Sequence, residues 1–270
     1  MKKIFNFYIK AFLYISFISI PFLFIAFPDL KKNEFTYRIW ISTFFPQLLY
    51  ILYLFRKNDL FGLFKANFIN KFFYTSLIIF SFSMPFIVYF SLIGFRLIEV
   101  TEYYNWDINI IYYFIMIFLS ALLEEILFRF IPYTLLANNI TMKKVILISV
   151  FFSIFHVFNP NITIIGILNI IIAGIFFSII YLKSNSVFLV TIVHAFWNFS
   201  MGCILGSNIS GAKITSILKY IPKEPSVLSG SEFGFEGSII TTLIFLTFSA
   251  VLYNLKTNKN SINSQKEHSI

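Results

Sequence analysis

The chain has 270 residues, 58% hydrophobic and 12% charged, with a net charge of +9. A soluble domain carries about a quarter charged residues, so a soluble globular protein is excluded, and the apolar content runs along the whole chain rather than forming one anchor. The basic balance therefore reads as lysines that set topology at a membrane surface, not as nucleic-acid binding, and Cys203, the single cysteine, excludes an internal disulfide.

Met1-Lys2-Lys3 followed by an apolar run to Phe27 has the outline of a signal peptide but no small-residue cleavage pattern, so it reads as a first span that stays. Apolar windows of about 17–25 residues mark spans, and eight follow in order: 4–27, 37–55, 72–95, 108–136, 144–158, 162–182, 187–205 and 238–255. The windows are continuously apolar rather than alternating, which excludes a closed barrel of strands. The expected fold is all-α, a polytopic transmembrane helical bundle of about eight spans forming one integral membrane domain over 1–255. With both termini cytoplasmic, Lys2, Lys3, Arg56, Lys57, Lys65, Lys71, Lys143, Lys144 and Lys183 all fall inside, as the positive-inside rule asks. Two connections carry a helical apolar period. Residues 60–72 do so with Phe61, Phe64, Phe68 and Phe72, and 212–221 with Ile214, Ile217, Leu218 and Ile221, so each predicts a helix lying on the membrane surface. Residues 256–270 are polar and predict a disordered tail.

The window 108–136 holds Glu124, Glu125 and Arg129 in otherwise apolar sequence. Charges at bilayer depth cost a few kcal/mol and need partners. Arg129 follows Glu125 by four residues, so the two share a helix face as an ion pair. Glu124 points about 100° away and is left without a local cation. Three further polar side chains lie in apolar windows. His156 ends the fifth window in Phe152-Ser-Ile-Phe-His156, and His194 and Asn198, four apart, share one face of the seventh. Such groups cluster around pathways or active sites.

Glu124-Glu125-x-x-x-Arg129, Phe152-x-x-x-His156 and His194-x-x-x-Asn198, in this order, resemble the signatures of the CAAX-protease and bacteriocin-processing membrane proteins. That family takes in the type II CAAX prenyl endopeptidases and the lysostaphin-resistance-protein-A-like proteins. Gly174 to Asn198, with its turn at Lys183–Ser186, shares the family's look, and the resemblance covers about 108–202. It implies an intramembrane endopeptidase of the glutamic type in a bacterial cell membrane, acting on a membrane-associated peptide or protein. It further implies that Glu124 and His156 activate a water and that His194 and Asn198 stabilise the oxyanion. Glu125 and Arg129 would hold the helix and tune the site, with Phe152 beside them.

The chemistry fits those roles. Hydrolysis needs a base poised near neutral pH, which burial of a carboxylate supplies, and amide and imidazole N–H groups are suitable oxyanion donors. Ser120 and Ser153 stand near the motifs without a nucleophile pattern. No metal cofactor is expected, since Arg129 opposes a second cation and no His-Glu-x-x-His pattern exists; the alternative is zinc on Glu124, His156 and His194. At 1.5 Å rise per residue, Glu124 and His156 lie about 18 Å and His194 about 11 Å from the inner ends of their spans. Tilt or an early end to the fifth helix would bring them level, around a wet cavity reached from the cytoplasm. The rival readings are a proton-coupled transporter relaying protons through Glu124, His156 and His194, and a non-proteolytic immunity or scaffold protein that binds a toxin or its receptor.

Overall fold

The computed structural model describes residues 1–26, 35–58, 71–103, 108–136, 139–223 and 226–255. The surface helix expected over 60–72, all but its last two residues, and the tail expected over 256–270 lie outside them. Each of the eight apolar windows coincides with a helix: α1 (Lys2–Ala26), α2 (Phe35–Asn58), α3 (Lys71–Gly94), α4 (Asn109–Glu125) continuing into α5 (Ile131–Leu136), α6 (Met142–Ile154), α7 (Ile164–Ser184), α8 (Val187–Phe199) and α9 (Ile239–Asn254). Among the described residues, five stretches are long and apolar enough to cross a membrane: Lys2–Pro21, Phe72–Gly94, Asn109–Leu136, Ile164–Ser184 and Val187–Ile204.

The helix packing follows the apolar faces. α7 lies between α6 and α9, while α8 packs on α3 and α4. Tyr8 of α1 stacks on Phe128 and Phe151, with ring centroids 5.2 and 4.8 Å apart, which ties the first helix to the region of the acidic pair. The turn at Lys183–Ser186 is present. α7 ends on Asn185 in the left-handed region (φ 48°), and the Ser186 hydroxyl caps α8 by accepting from the Leu189 N–H at 3.2 Å.

Three departures from the all-helical expectation matter. Residues 212–221 do not form a surface helix. They are loop and then strand β2 (Leu218–Pro222), which pairs antiparallel with β1 (Ile98–Tyr103) through Val100 opposite Tyr220 and Ile98 opposite Pro222. Tyr220 stacks on Phe235 at 5.6 Å, so the tertiary pairing overrides the helical period of the isoleucines. Second, α6 ends at Ile154, before His156, which stands in the turn that follows. The early end of the fifth helix is thus what brings His156 level with Glu124. Third, two π-turns, Ile126–Phe130 and Ser200–Ile204, begin one and two residues after Glu125 and Asn198. A π-turn inserts one residue into the helical ladder and so rotates the side chains beyond it, and such turns recur at functional sites.

Candidate functional site

Arg129 is the largest fully buried side chain. Its Nη1 donates to Glu125 Oε1 at 3.1 Å and its Nη2 to the Gly174 carbonyl at 3.3 Å. Its guanidinium lies over two rings, 4.5 Å from the centre of Phe152 and 5.4 Å from that of Phe177. A Cβ on Gly174 would meet Ser149 Cβ at 2.8 Å, so the missing side chain is what lets α7 lie against α6 and present that carbonyl. The ion pair expected from the i, i+4 spacing is therefore formed, and it is wholly enclosed.

Glu125 Oε1 also bonds His194 Nδ1 at 2.8 Å. An arginine-bound carboxylate is an acceptor only, so Nδ1 carries the proton and Nε2 of a neutral His194 presents its lone pair. His156 reaches the same state from a different segment: its Nδ1 lies 2.7 Å from the Phe152 carbonyl, which can only accept, so its Nε2 also presents a lone pair. Both Nε2 atoms stand 4.0 Å from Glu124 Oε2. That is too long for a direct hydrogen bond, yet a water at about 2.8 Å can bridge Glu124 to either imidazole. Aromatic rings fix the imidazoles. Phe152 meets His156 edge-on at 4.7 Å and Phe177 stacks on His194 at 4.6 Å.

Glu124, His156, His194 and Asn198 line one cavity of about 380 Å³. Asn198 Oδ1 is buried with no partner among the described residues. The structure thus brings together Glu124, Glu125, His156, His194, Asn198, Arg129 and Phe152. Ser153 donates to the Ile167 carbonyl at 3.0 Å, a structural bond. Among the described residues no three His, Cys, Asp or Glu side chains stand where one metal ion would bind them all. A tetrahedral zinc with ligands at about 2.1 Å brings its donors to about 3.4 Å of one another, closer than the 4.0 Å between Glu124 and either imidazole.

The cavity's lining comes from α2, from α4 as far as Glu124, from the first part of α7, from Phe245 of α9, from the ends of α6 and α8, and from the loops holding Pro160 and Lys213, both exposed. Pro160 stands before the start of α7 and Lys213 beyond the end of α8, the ends of those two helices away from the Lys183–Ser186 turn.

Four residues missed in the sequence belong to this site. Phe177 holds His194, and in an apolar helix one more phenylalanine gives no signal. Asn169 of α7, 2% exposed, stood out by the rule that singled out Asn198, a polar group in an apolar window. Glu236 and Ser210 come from loops where polar residues are unremarkable. Glu236 Oε2 accepts from the Ser210 N–H at 2.6 Å and hydroxyl at 2.7 Å. Burial raises the Glu236 carboxyl above its ordinary value, opposed by the Ser210 hydroxyl, His156, the Ser210 N–H and His194.

The fold and site define a multi-pass membrane protein with a carboxylate–imidazole centre set among its helices. Residues 105–200 match the family model of the type II CAAX prenyl endopeptidase Rce1-like proteins, a protease family. The matched stretch carries every one of the signature residues from Glu124 to Asn198. No curated protein and no solved structure matches the chain.

Proposed function

We propose that the chain is an intramembrane endopeptidase of the glutamic type, hydrolysing a peptide bond in a membrane-associated peptide or protein. What carries the reading is the placement of two imidazole Nε2 lone pairs, each 4.0 Å from the Glu124 carboxylate, on one cavity set among apolar helices. A water held there gives a proton to Glu124 as its oxygen attacks the scissile carbonyl carbon. The resulting oxyanion takes hydrogen bonds from the Asn198 amide and from His194, whose Nε2 takes a proton from solvent water before the attack and returns it after product release, a charge that Glu125 compensates through Nδ1. The C–N bond then breaks, and His156 delivers the proton passed on from Glu124 to the leaving nitrogen. Arg129 holds Glu125 ionised and in place throughout.

The experiment is incubation of the purified protein in lipid nanodiscs with labelled membrane peptides, the products identified by mass spectrometry. Cleavage at one bond supports the reading, and intact peptides across a broad library overturn it. No metal enters the mechanism, so cleavage is expected to continue in the presence of a chelator. Loss of activity that added zinc restores would transfer Glu124, His156 and His194 to the role of metal ligands.

We further propose eight spans with both termini cytoplasmic, which turns the cavity mouth outward. Cys203, the single cysteine, is buried, so introduced thiols report alone. An impermeant maleimide is expected to label Lys213→Cys in intact cells, and Lys143→Cys only after permeabilisation. The opposite pattern would invert the bundle and place the mouth in the cytoplasm.

A further inference from the structure

Glu236 lies outside the stretch that matches the family, on the short turn Phe235–Gly237. Its backbone is fastened by the helix that supplies the site. The Asn169 amide donates to the carbonyls of Glu236 and Ser238 at 2.7 and 2.9 Å, while Asn169 Oδ1 accepts from the Thr242 hydroxyl at 2.6 Å. Neighbouring loops are stitched to it. Asn208 donates its amide to the Glu232 carbonyl at 2.6 Å, and the Phe235 N–H donates to the Ser207 hydroxyl at 2.9 Å. Gly211 (φ +82°) and Gly234 (φ +95°) adopt left-handed conformations where a Cβ would lie 1.8 Å from the Pro160 carbonyl oxygen and 2.3 Å from that of Asn208. Three loops are thereby drawn into one cap beside the cavity.

So much anchoring serves a carboxylate that is only half spent. Ser210 occupies Oε2, and Oε1 takes no hydrogen bond among the described residues. Besides the imidazoles, the ionisable side chains lining the cavity are the acids Glu124 and Glu236 and the amine of Lys213, so acidic groups outnumber basic ones. A partly enclosed space with one sign of charge concentrates the opposite sign. Around it the wall is largely apolar, with Phe44, Met116, Ile117, Ile170 and Phe245. An apolar peptide carrying one basic residue satisfies both features: its apolar side chains cover the wall, and its cation makes a charge-assisted bond to the carboxylate.

We infer that Glu236 is a specificity-determining residue of the site, its open carboxylate oxygen accepting a lysine or arginine side chain from an otherwise apolar peptide substrate. The inference rests on the protease reading, and binding separates the two. The probe is a set of fluorescent apolar peptides with a single lysine, norleucine or glutamate, measured by anisotropy on Glu124→Gln protein in phosphatidylcholine nanodiscs. The lysine peptide is expected to bind about tenfold tighter than the norleucine peptide, the size of one charge-assisted pair. Adding Glu236→Gln removes that ratio and leaves the norleucine affinity in place, and Glu236→Lys turns the preference towards glutamate. With active protein and the lysine peptide, Glu236→Gln raises KM by the same factor at unchanged kcat, which a merely structural role would not do. Equal binding of lysine and norleucine peptides to the Glu236 protein overturns the inference while peptide binding stands, and needs no Glu236 variant to fold. Binding of no peptide at all overturns the protease reading and the inference with it. Loss of the lysine preference on adding phosphatidylethanolamine would instead make a lipid amine the ligand, which also overturns it.

Discussion

Glu124→Gln is expected to abolish peptide cleavage, lowering kcat by about 10³-fold or more, with the protein still folded and still binding peptide. General acid–base groups contribute about 10²–10⁴-fold, and here the same carboxylate also holds the water against an imidazole lone pair. Glutamine keeps the shape of the side chain, but its amide cannot take the proton that the attacking water must lose. Its NH₂ group would also donate to one Nε2, closing the gap that a water needs. Among the described residues Glu124 makes no ion pair with a lysine or arginine, and Arg129 is committed to Glu125 and Gly174. The substitution therefore separates chemistry from stability. Glu124→Asp should retain a small residual rate, since the carboxylate survives but withdraws by one methylene from imidazoles already 4.0 Å away. The measurement is single-turnover cleavage of a labelled peptide beside a thermal melt of each variant. A Glu124→Gln protein that cleaves at the normal rate would remove Glu124 from the mechanism and leave His156 and His194 to explain it.

How much of this was legible beforehand depends on the solvent each residue meets. The helices were readable because a continuous apolar window of about 20 residues has few other ways to satisfy its backbone in lipid. Glu124, Glu125, Arg129, His156, His194 and Asn198 were readable for the complementary reason, since an ionisable or amide group in such a window needs a cause. Asn169 obeys that rule and was passed over. Outside the lipid the rule has no force. Glu236 and Ser210 look like any solvated loop, and only the bonds from Asn169 and between the loops reveal that they reach the site. The β-ribbon stayed hidden because Ile214, Ile217 and Leu218 fit a helical period, while the decision was made by a partner strand far earlier in the chain, Ile98–Tyr103. The π-turns after Glu125 and Asn198 have no sequence signature at all. They matter because the i, i+4 geometry that paired Glu125 with Arg129 on paper is executed across a turn that is not α-helical.

Arg129→Ala is expected to destabilise the protein by about 3–5 kcal/mol, the usual consequence of removing one partner from a buried ion pair. Glu125 would be left fully buried with His194 as its one remaining hydrogen-bond partner among the described residues, and the space between Phe152 and Phe177 would empty. For a chain of this size that loss lowers Tm by roughly 10 °C or more. Arg129→Met with Glu125→Gln removes both charges at nearly conserved volume, and a neutral replacement of a buried pair is often no less stable than the pair itself. The double variant is therefore expected to regain most of the lost Tm. It should not regain activity. The introduced glutamine can still accept from His194 Nδ1 and hold the ring, but it no longer offsets the charge that His194 acquires when it stabilises the oxyanion, so kcat stays low by about 10²-fold. The thermal melt and the cleavage rate of the two variants thus answer different questions. Recovery of both together would reduce Glu125 and Arg129 to a helix-packing device, and recovery of stability alone assigns them to the chemistry of His194.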